Sequence, residues 1–289
     1  MIEISNESLT ATINPKGAEL ISLVNKKSGM NYIWKGDPTW WGKHSPVLFP
    51  IVGSLKNDKY RWQGKEYSLP RHGFARERNF EGIRTGSNEA KFILKSDEES
   101  MKVYPFSFQL ELKYTLLDSE LKVAYTVTNT GESEMLFCLG AHPAFAVPLE
   151  NQLLYTDYYL EFEHRETAGR FNLSNGLLMQ TSEPLLNDEN KIPLSPDLFL
   201  KDAIVLKNLR SGWVSLKSAK SQHGLRFSIA GWPYLGIWAA ANAAPFVCIE
   251  PWQGHADDVE ASGELKDKPG VMVLKTGESW EKFWKVELY

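Results

Sequence analysis

Two cysteines, Cys138 and Cys248, are all that the 289 residues contain, which excludes the dense disulfide framework of small secreted domains. The first ten residues, MIEISNESLT, lack a basic stretch followed by an apolar one, so no secretory signal is expected. Long apolar runs are missing too. The least polar stretch, 236–249, is broken by Asn242 and Pro245 and falls short of the roughly 18 uninterrupted apolar residues of a membrane span. Thirty-two basic against 36 acidic side chains leave a net charge of −4, which gives no general pull toward nucleic acid or anionic lipid. These absences predict a cytoplasmic protein with reduced thiols, without nucleic-acid or membrane partners, acting as a monomer or homodimer.

Cofactor signatures are equally scarce. No GxGxxG follows a strand, and there is no GxxxxGK[ST], HExxH, CxxC or GxSxG. The six histidines, at 44, 72, 142, 164, 223 and 255, show no close pairing of the kind that marks a metal site. No cofactor and no metal are expected.

What the chain does have is alternation. Phe106, Phe108, Leu110, Leu112 and Tyr114 share one face of an extended segment; after Asp118-Ser119, Leu121, Val123, Tyr125 and Val127 resume it. Together they predict a long hairpin with one wet side. Short runs recur at 10–14, 80–84, 91–95, 158–163, 203–207, 213–217, 225–230 and 235–239, and Trp280, Lys282, Trp284, Val286 and Leu288 alternate at the end of the chain. Gln63-Gly64, Asn129-Thr130-Gly131 and Thr276-Gly277 supply turns. Helical pattern is confined to a turn or two at 97–103. The polar stretch 187–197, with two prolines, reads as a long loop. The expected fold is all-β, a large antiparallel β-sandwich forming one domain over 1–289.

Four segments do not read as ordinary strand or loop. Residues 69–76 (LPRHGFAR) gather Arg71, His72 and Arg76 around a Gly-Phe pair; 140–145 (GAHPAF) set His142 at the end of an apolar strand; 247–252 (VCIEPW) end an apolar run on Glu250; and 199–204 place Asp202 at the start of a strand. No charge occurs in 243–249, so Glu250 is expected to be partly desolvated, which raises a carboxyl pKa toward general acid–base use. A strand-end glutamate pointing into water fits the same residues, as does a core histidine satisfied by backbone at His142. Surface salt bridging fits Arg71 and Arg76, and local capping fits Asp202. The residues alone leave these readings open. Trp34, Trp40, Trp41, Trp232 and Trp252 lie beside turn signals, where an indole face suits the C–H surface of a sugar ring.

Taken together, SPVLFPIVGSLKNDKY (45–60), LPRHGFARERNF (69–80), GAHPAF (140–145) and CIEPWQG (248–254) resemble the aldose 1-epimerase (mutarotase) family, most of all its LacX-like branch, and the likeness runs over nearly the whole chain. That resemblance implies a β-supersandwich fold and interconversion of the α- and β-anomers of a hexose such as galactose or glucose, with no cofactor. It implies Glu250 as catalytic base and His142 as general acid, with His72 and Asp202 binding the sugar; Arg71 and Arg76, beside His72, are expected to bind it as well. Family members often carry an arginine near Gly53-Ser54-Leu55; here the residue is Ser54, and Arg71 or Lys56 is expected to replace that donor.

Three other readings compete. Lys56, Lys59, Arg61, Arg71, Arg76 and Arg78 include enough cations for a phosphate clamp, which would make the substrate a hexose 6-phosphate. A non-catalytic sugar sensor needs only the scaffold. A glycoside hydrolase would pair Glu250 with Asp202 and leave His142 idle. Strand alternation also sets Cys248 on the side of Glu250 and Cys138 on that of His142, so both thiols are expected to border the cleft.

Overall fold

The computed structural model describes residues 1–289. A 15-stranded sheet dominates, antiparallel at every pairing. From one edge it runs Val47–Leu48, Leu139–Ala141, Phe246–Gln253, Tyr234–Trp238, Ile204–Lys207, Tyr158–Ser174 and Trp213–Ser218. It continues through Leu225–Ser228, Ser279–Leu288, Glu120–Asn129, Phe108–Leu117 and Glu89–Lys95 to Glu81–Arg84. Ala144–Ala146 adds to Phe246–Gln253, and Leu177–Pro193 to Tyr158–Ser174.

The sheet curls until its ends meet. Phe49, beside one edge strand, packs 5.0 Å (ring centroids) from Phe108, which lies near the other edge. That closure makes the structure a sandwich, and its apolar interior is a cluster of 70 buried residues running from Ile4 to Leu288. A three-stranded sheet of Ile2–Ser5, Leu9–Asn14 and Glu19–Asn25 covers one flank.

Local sequence accounts for much of this. Phe108–Leu117 and Glu120–Asn129 bury every second residue, with Val123 opposite Tyr114. Asp118 takes the left-handed turn conformation (φ 50°) between them. The 97–103 segment is the one α-helix, Glu98–Val103, closed by a capping box in which Asp97 accepts from Ser100 N–H at 2.7 Å and Ser100 Oγ accepts from Asp97 N–H at 2.9 Å. No helix is long and apolar enough to cross a membrane.

The 187–197 stretch is not a loop throughout. Residues up to 193 belong to the Leu177–Pro193 strand, which pairs Thr167 with Asn187 and Glu161 with Lys191. This strand sits at an edge with most of both faces in water and breaks register four times against its partner, so its side chains carry no two-residue period to read.

Candidate active site

The site grows from one face of four neighbouring strands. Leu139–Ala141 and Ala144–Ala146 both pair with Phe246–Gln253 and in the same register, with Gly140 opposite Trp252 and Ala144 opposite Cys248. Carried across the short break at His142-Pro143, that register sets His142 opposite Glu250. Directly opposed residues of antiparallel strands project on the same face. On the other side of Phe246–Gln253, Gly236 pairs with Glu250 and Trp238 with Cys248. A single patch of sheet therefore carries His142, Cys248, Glu250, Trp252 and Trp238. Gly140 and Gly236 leave the space the Trp252 indole fills, since a Cβ on either would lie 2.7 or 2.3 Å from its carbons.

His142 Nε2 lies 3.3 Å from Glu250 Oε2, and the two side chains are 10% and 1% exposed. Trp41 stacks on the imidazole at 4.8 Å (26° between planes), while Trp238 meets it edge-on at 5.8 Å. Burial pushes the Glu250 carboxyl well above its ordinary range; Arg71 and the Trp252 indole oppose that shift, and Asp202 adds to it. Burial pushes His142 down, assisted by Arg71 and Arg76 and opposed by a backbone contact. The pair is thus driven to hold one proton between them. A neutral acid beside a neutral imidazole and a carboxylate beside an imidazolium have the same proton count, so the ion-pair form is reached by an internal transfer.

Turns supply the facing wall. His72 and Asp202 both take left-handed backbone conformations (φ 70° and 67°), which costs of order 1–3 kcal/mol in a residue with a Cβ and clusters at functional positions. His72 Nδ1 accepts from the Gly53 N–H at 3.1 Å. Its proton is therefore on Nε2, which is the nitrogen left for a ligand. Burial first, then His142, Arg71, Arg76 and Lys268, keep the ring neutral. Arg71 Nε lies 3.3 Å from that Nε2; both are donors in this tautomer, so the contact is packing. Asp202 Oδ1 accepts from Ala203 N–H at 2.7 Å, and Oδ2 stands 3.8 Å from Arg71 Nη1. Arg76 donates through Nη2 to the Arg71 carbonyl at 2.8 Å, while its Nε is buried without a partner.

Glu250, His142, His72, Arg71, Asp202 and Arg76 all line one cleft of about 280 Å³, together with Ala203 and three indoles, Trp41, Trp238 and Trp252. Trp34 and Trp232 are instead core residues, and Trp40 is 39% exposed on the surface. Trp238 escaped the sequence reading because it falls inside an alternating strand; the signal was Gly236, two residues away on the same face. Lys56 does not line the cleft and Arg71 does. Ser54 faces the turn between Tyr158–Ser174 and Leu177–Pro193, where a Cβ on Gly176 would lie 2.9 Å from its Oγ. The expectation that both thiols border the cleft holds only in part. Neither cysteine lines it and both are completely buried: Cys138 lies in a small cluster with Leu48, Val52 and Trp252, whereas Cys248 sits directly behind the His142–Glu250 pair.

Comparison with known proteins places the chain in a family. A profile of the family described as Aldose 1-epimerase matches residues 1–282. The chain belongs to the aldose 1-epimerase family. It is an isomerase, an epimerase of aldoses. It is 37% identical over 279 residues to the chromosomal protein LacX of Lactococcus lactis subsp. lactis, covering 93% of each chain. The crystal structure of a galactose mutarotase related enzyme from Lactobacillus acidophilus superimposes with a TM-score of 0.95 at 34% identity, over 100% of this chain and 97% of the other. A galactose mutarotase-like protein from Lactobacillus casei gives 0.90 at 35% identity, with both chains fully covered.

Proposed function

We propose that this epimerase interconverts the anomers of an unphosphorylated hexose such as galactose or glucose, with Glu250 and His142 as its acid–base pair. The observation that carries the reading is the 3.3 Å approach of His142 Nε2 to Glu250 Oε2 at the floor of the cleft. The reacting oxygens of a cyclic aldose, O1 and O5, share one carbon, and two groups this close address both.

Glu250 as carboxylate takes the proton of the C1 hydroxyl while imidazolium His142 protonates O5, and the C1–O5 bond opens to the aldehyde. Rotation about C1–C2 presents the other carbonyl face; His142 then removes the O5 proton as O5 attacks C1, and Glu250 returns a proton to O1. Each cycle leaves the pair as it began. His72 Nε2–H donates to a sugar oxygen, Arg71 donates to hydroxyls, Asp202 accepts from them, Arg76 braces the Arg71 backbone, and the indoles cover the apolar face of the ring. General acid–base groups of this kind supply about 10²–10⁴-fold.

The phosphosugar alternative loses most of its cations. Lys59 pairs with Glu66, Arg61 with Glu264 and Arg78 with Asp97, which leaves Arg71 and Arg76 at the cleft, the former already facing Asp202. The reading implies a protein at work where free hexose is found, in the cytoplasm.

One-dimensional proton NMR of freshly dissolved α-galactose and α-glucose tests the assignment. Catalytic protein should speed the anomeric exchange, and Glu250→Gln should lose about 10²-fold or more of that acceleration. An unaffected Glu250→Gln would remove the carboxylate from the mechanism. Acceleration confined to hexose 6-phosphates would favour the phosphosugar alternative, and none with any sugar a sensor. Release of sugar from a nitrophenyl glycoside would point to hydrolysis.

A further inference from the structure

Behind the acid–base pair lies a third group that the reaction does not use. Cys248 stands two residues before Glu250 on the same strand, hence on the same face, and one pleat diagonal to His142 across the sheet. A ring nitrogen of His142, Cys248 Sγ and a carboxylate oxygen of Glu250 all lie within 4.8 Å of one another, and all three residues are buried. His142 Nδ1 is buried without a hydrogen-bond partner, and Glu250 Oε2 has only His142 Nε2, at 3.3 Å, beside it. Unsatisfied polar atoms are expensive in a sheet interior, and both His142 and Glu250 line the cleft.

We propose that Cys248, His142 and Glu250 form a binding site for a thiophilic divalent cation of the Zn²⁺ or Cd²⁺ kind, and that its occupation switches the enzyme off. A cation centred among donors within 4.8 Å of each other is at most about 2.8 Å from each, which is about 0.5 Å beyond the bond Zn²⁺ forms to sulfur (~2.3 Å) and about 0.6–0.8 Å beyond those to nitrogen or oxygen (~2.0–2.2 Å). Side-chain rotation closes that gap. A thiolate, an imidazole and a carboxylate make a three-ligand set that leaves the fourth tetrahedral position toward the cleft, for water. The sulfur selects against Mg²⁺ and Ca²⁺, which take oxygen ligands. On binding, the thiol gives its proton to solvent, and so does the His142–Glu250 pair. The cation therefore occupies the atoms that would move protons on the sugar and removes the proton they share. Inhibition rests on the acid–base roles proposed above; binding does not.

The test uses untagged protein and Cd²⁺, whose bond to a thiolate absorbs in the ultraviolet. One equivalent should bind with a thiolate charge-transfer band, and millimolar Mg²⁺ should not compete. Cys248→Ala should abolish the band and weaken binding by more than about tenfold, or 1.4 kcal/mol, while Cys138→Ala changes neither. Glu250→Gln, which keeps the shape of the strand, should also weaken binding, and it carries the test if Cys248→Ala does not fold. In the NMR assay Zn²⁺ should stop anomeric exchange, EDTA should restore it, and Cys248→Ala should keep turning over in Zn²⁺. Full Cd²⁺ affinity in both variants, or binding without a thiolate band, would overturn the proposal. Cation binding by a protein that, metal-free, accelerates no sugar would sink the sugar assignment and leave the cation site standing.

Discussion

His72 and Gly53 hold each other twice: the His72 N–H donates to the Gly53 carbonyl at 2.9 Å, and the Gly53 N–H donates back to His72 Nδ1 at 3.1 Å. The first bond fixes the turn and the second fixes the tautomer, so Nε2 carries its hydrogen whatever binds in the cleft. Gly53 has no room for a side chain, because a Cβ there would lie 2.5 Å from Ala256.

His72→Ala should therefore fail in two ways. It leaves the buried Gly53 N–H unpaired, a loss of about 1–3 kcal/mol of stability. It should also raise KM more than it lowers kcat. His72→Asn, which tolerates the left-handed backbone and offers an acceptor, should recover part of the stability and little of the KM. Urea melts alongside anomerisation kinetics separate the two effects; equal KM in all three proteins would remove His72 from the sugar.

The loop that carries Gly53 is itself pinned from behind. Asp257 Oδ1 meets Lys268 Nζ at 2.9 Å with both side chains almost fully buried, Asp257 Oδ2 accepts from the Lys56 N–H at 3.0 Å, and the Asp257 N–H donates to the Ser54 carbonyl at 2.9 Å. Lys268→Met should cost about 3–5 kcal/mol, because it strands a buried carboxylate. Adding Asp257→Asn should return much of that. Thermal or urea melts of the two variants check the order, and a more stable single variant would contradict it.

The rate should follow pH as a broad bell. Burial disfavours both the doubly protonated and the fully deprotonated forms of the His142–Glu250 pair. The acid limb thus moves below the ordinary histidine value of about 6.5 and the alkaline limb above the ordinary carboxyl range. A kcat profile from pH 4 to 10 should show a plateau through neutrality. A narrow optimum, or a rate rising without limit toward either extreme, counts against a shared-proton pair.

Stability should fall as the medium is acidified. His72 and His255 are held below their ordinary value, chiefly by burial, His255 down to about 4. From about pH 6.5 toward 4 the unfolded chain takes up protons that the folded one refuses, so folding weakens as pH drops. His142 acts in the same sense, while Glu250, raised in the fold, acts in the opposite one and offsets it. Two net protons correspond to about 2.7 kcal/mol per pH unit. Unfolding free energies measured across this interval should show that slope, and Glu250→Gln should steepen it. A flat profile would mean that these histidines are charged in the folded protein.

Much of the architecture was legible because most strands have one wet face. Alternation from Phe108 to Val127 and from Trp280 to Leu288 is what a half-buried strand imposes. Where both faces meet the same environment the signal vanishes. Phe246–Gln253 is buried almost throughout and gave only an apolar run, and residues 187–193 at the end of Leu177–Pro193 are wet on both sides at most positions and read as loop. At the site, Glu250 and His142 stood out as polar residues closing apolar runs. Their direct opposition did not, because it follows from a register shared by two separate strands across a break, which no local pattern encodes. Trp238 stayed hidden inside an alternating strand.

The division of labour between sheet and turns bears on how such a protein diversifies. Glu250, His142 and Trp252 sit in a strand lattice with glycines cut to fit one indole, so any change there disturbs reaction and core at once. Arg71, His72, Arg76 and Asp202 hang on turns outside that lattice. A lineage, or an engineer, seeking a different sugar has the freedom to reshape those turns around chemistry that stays put.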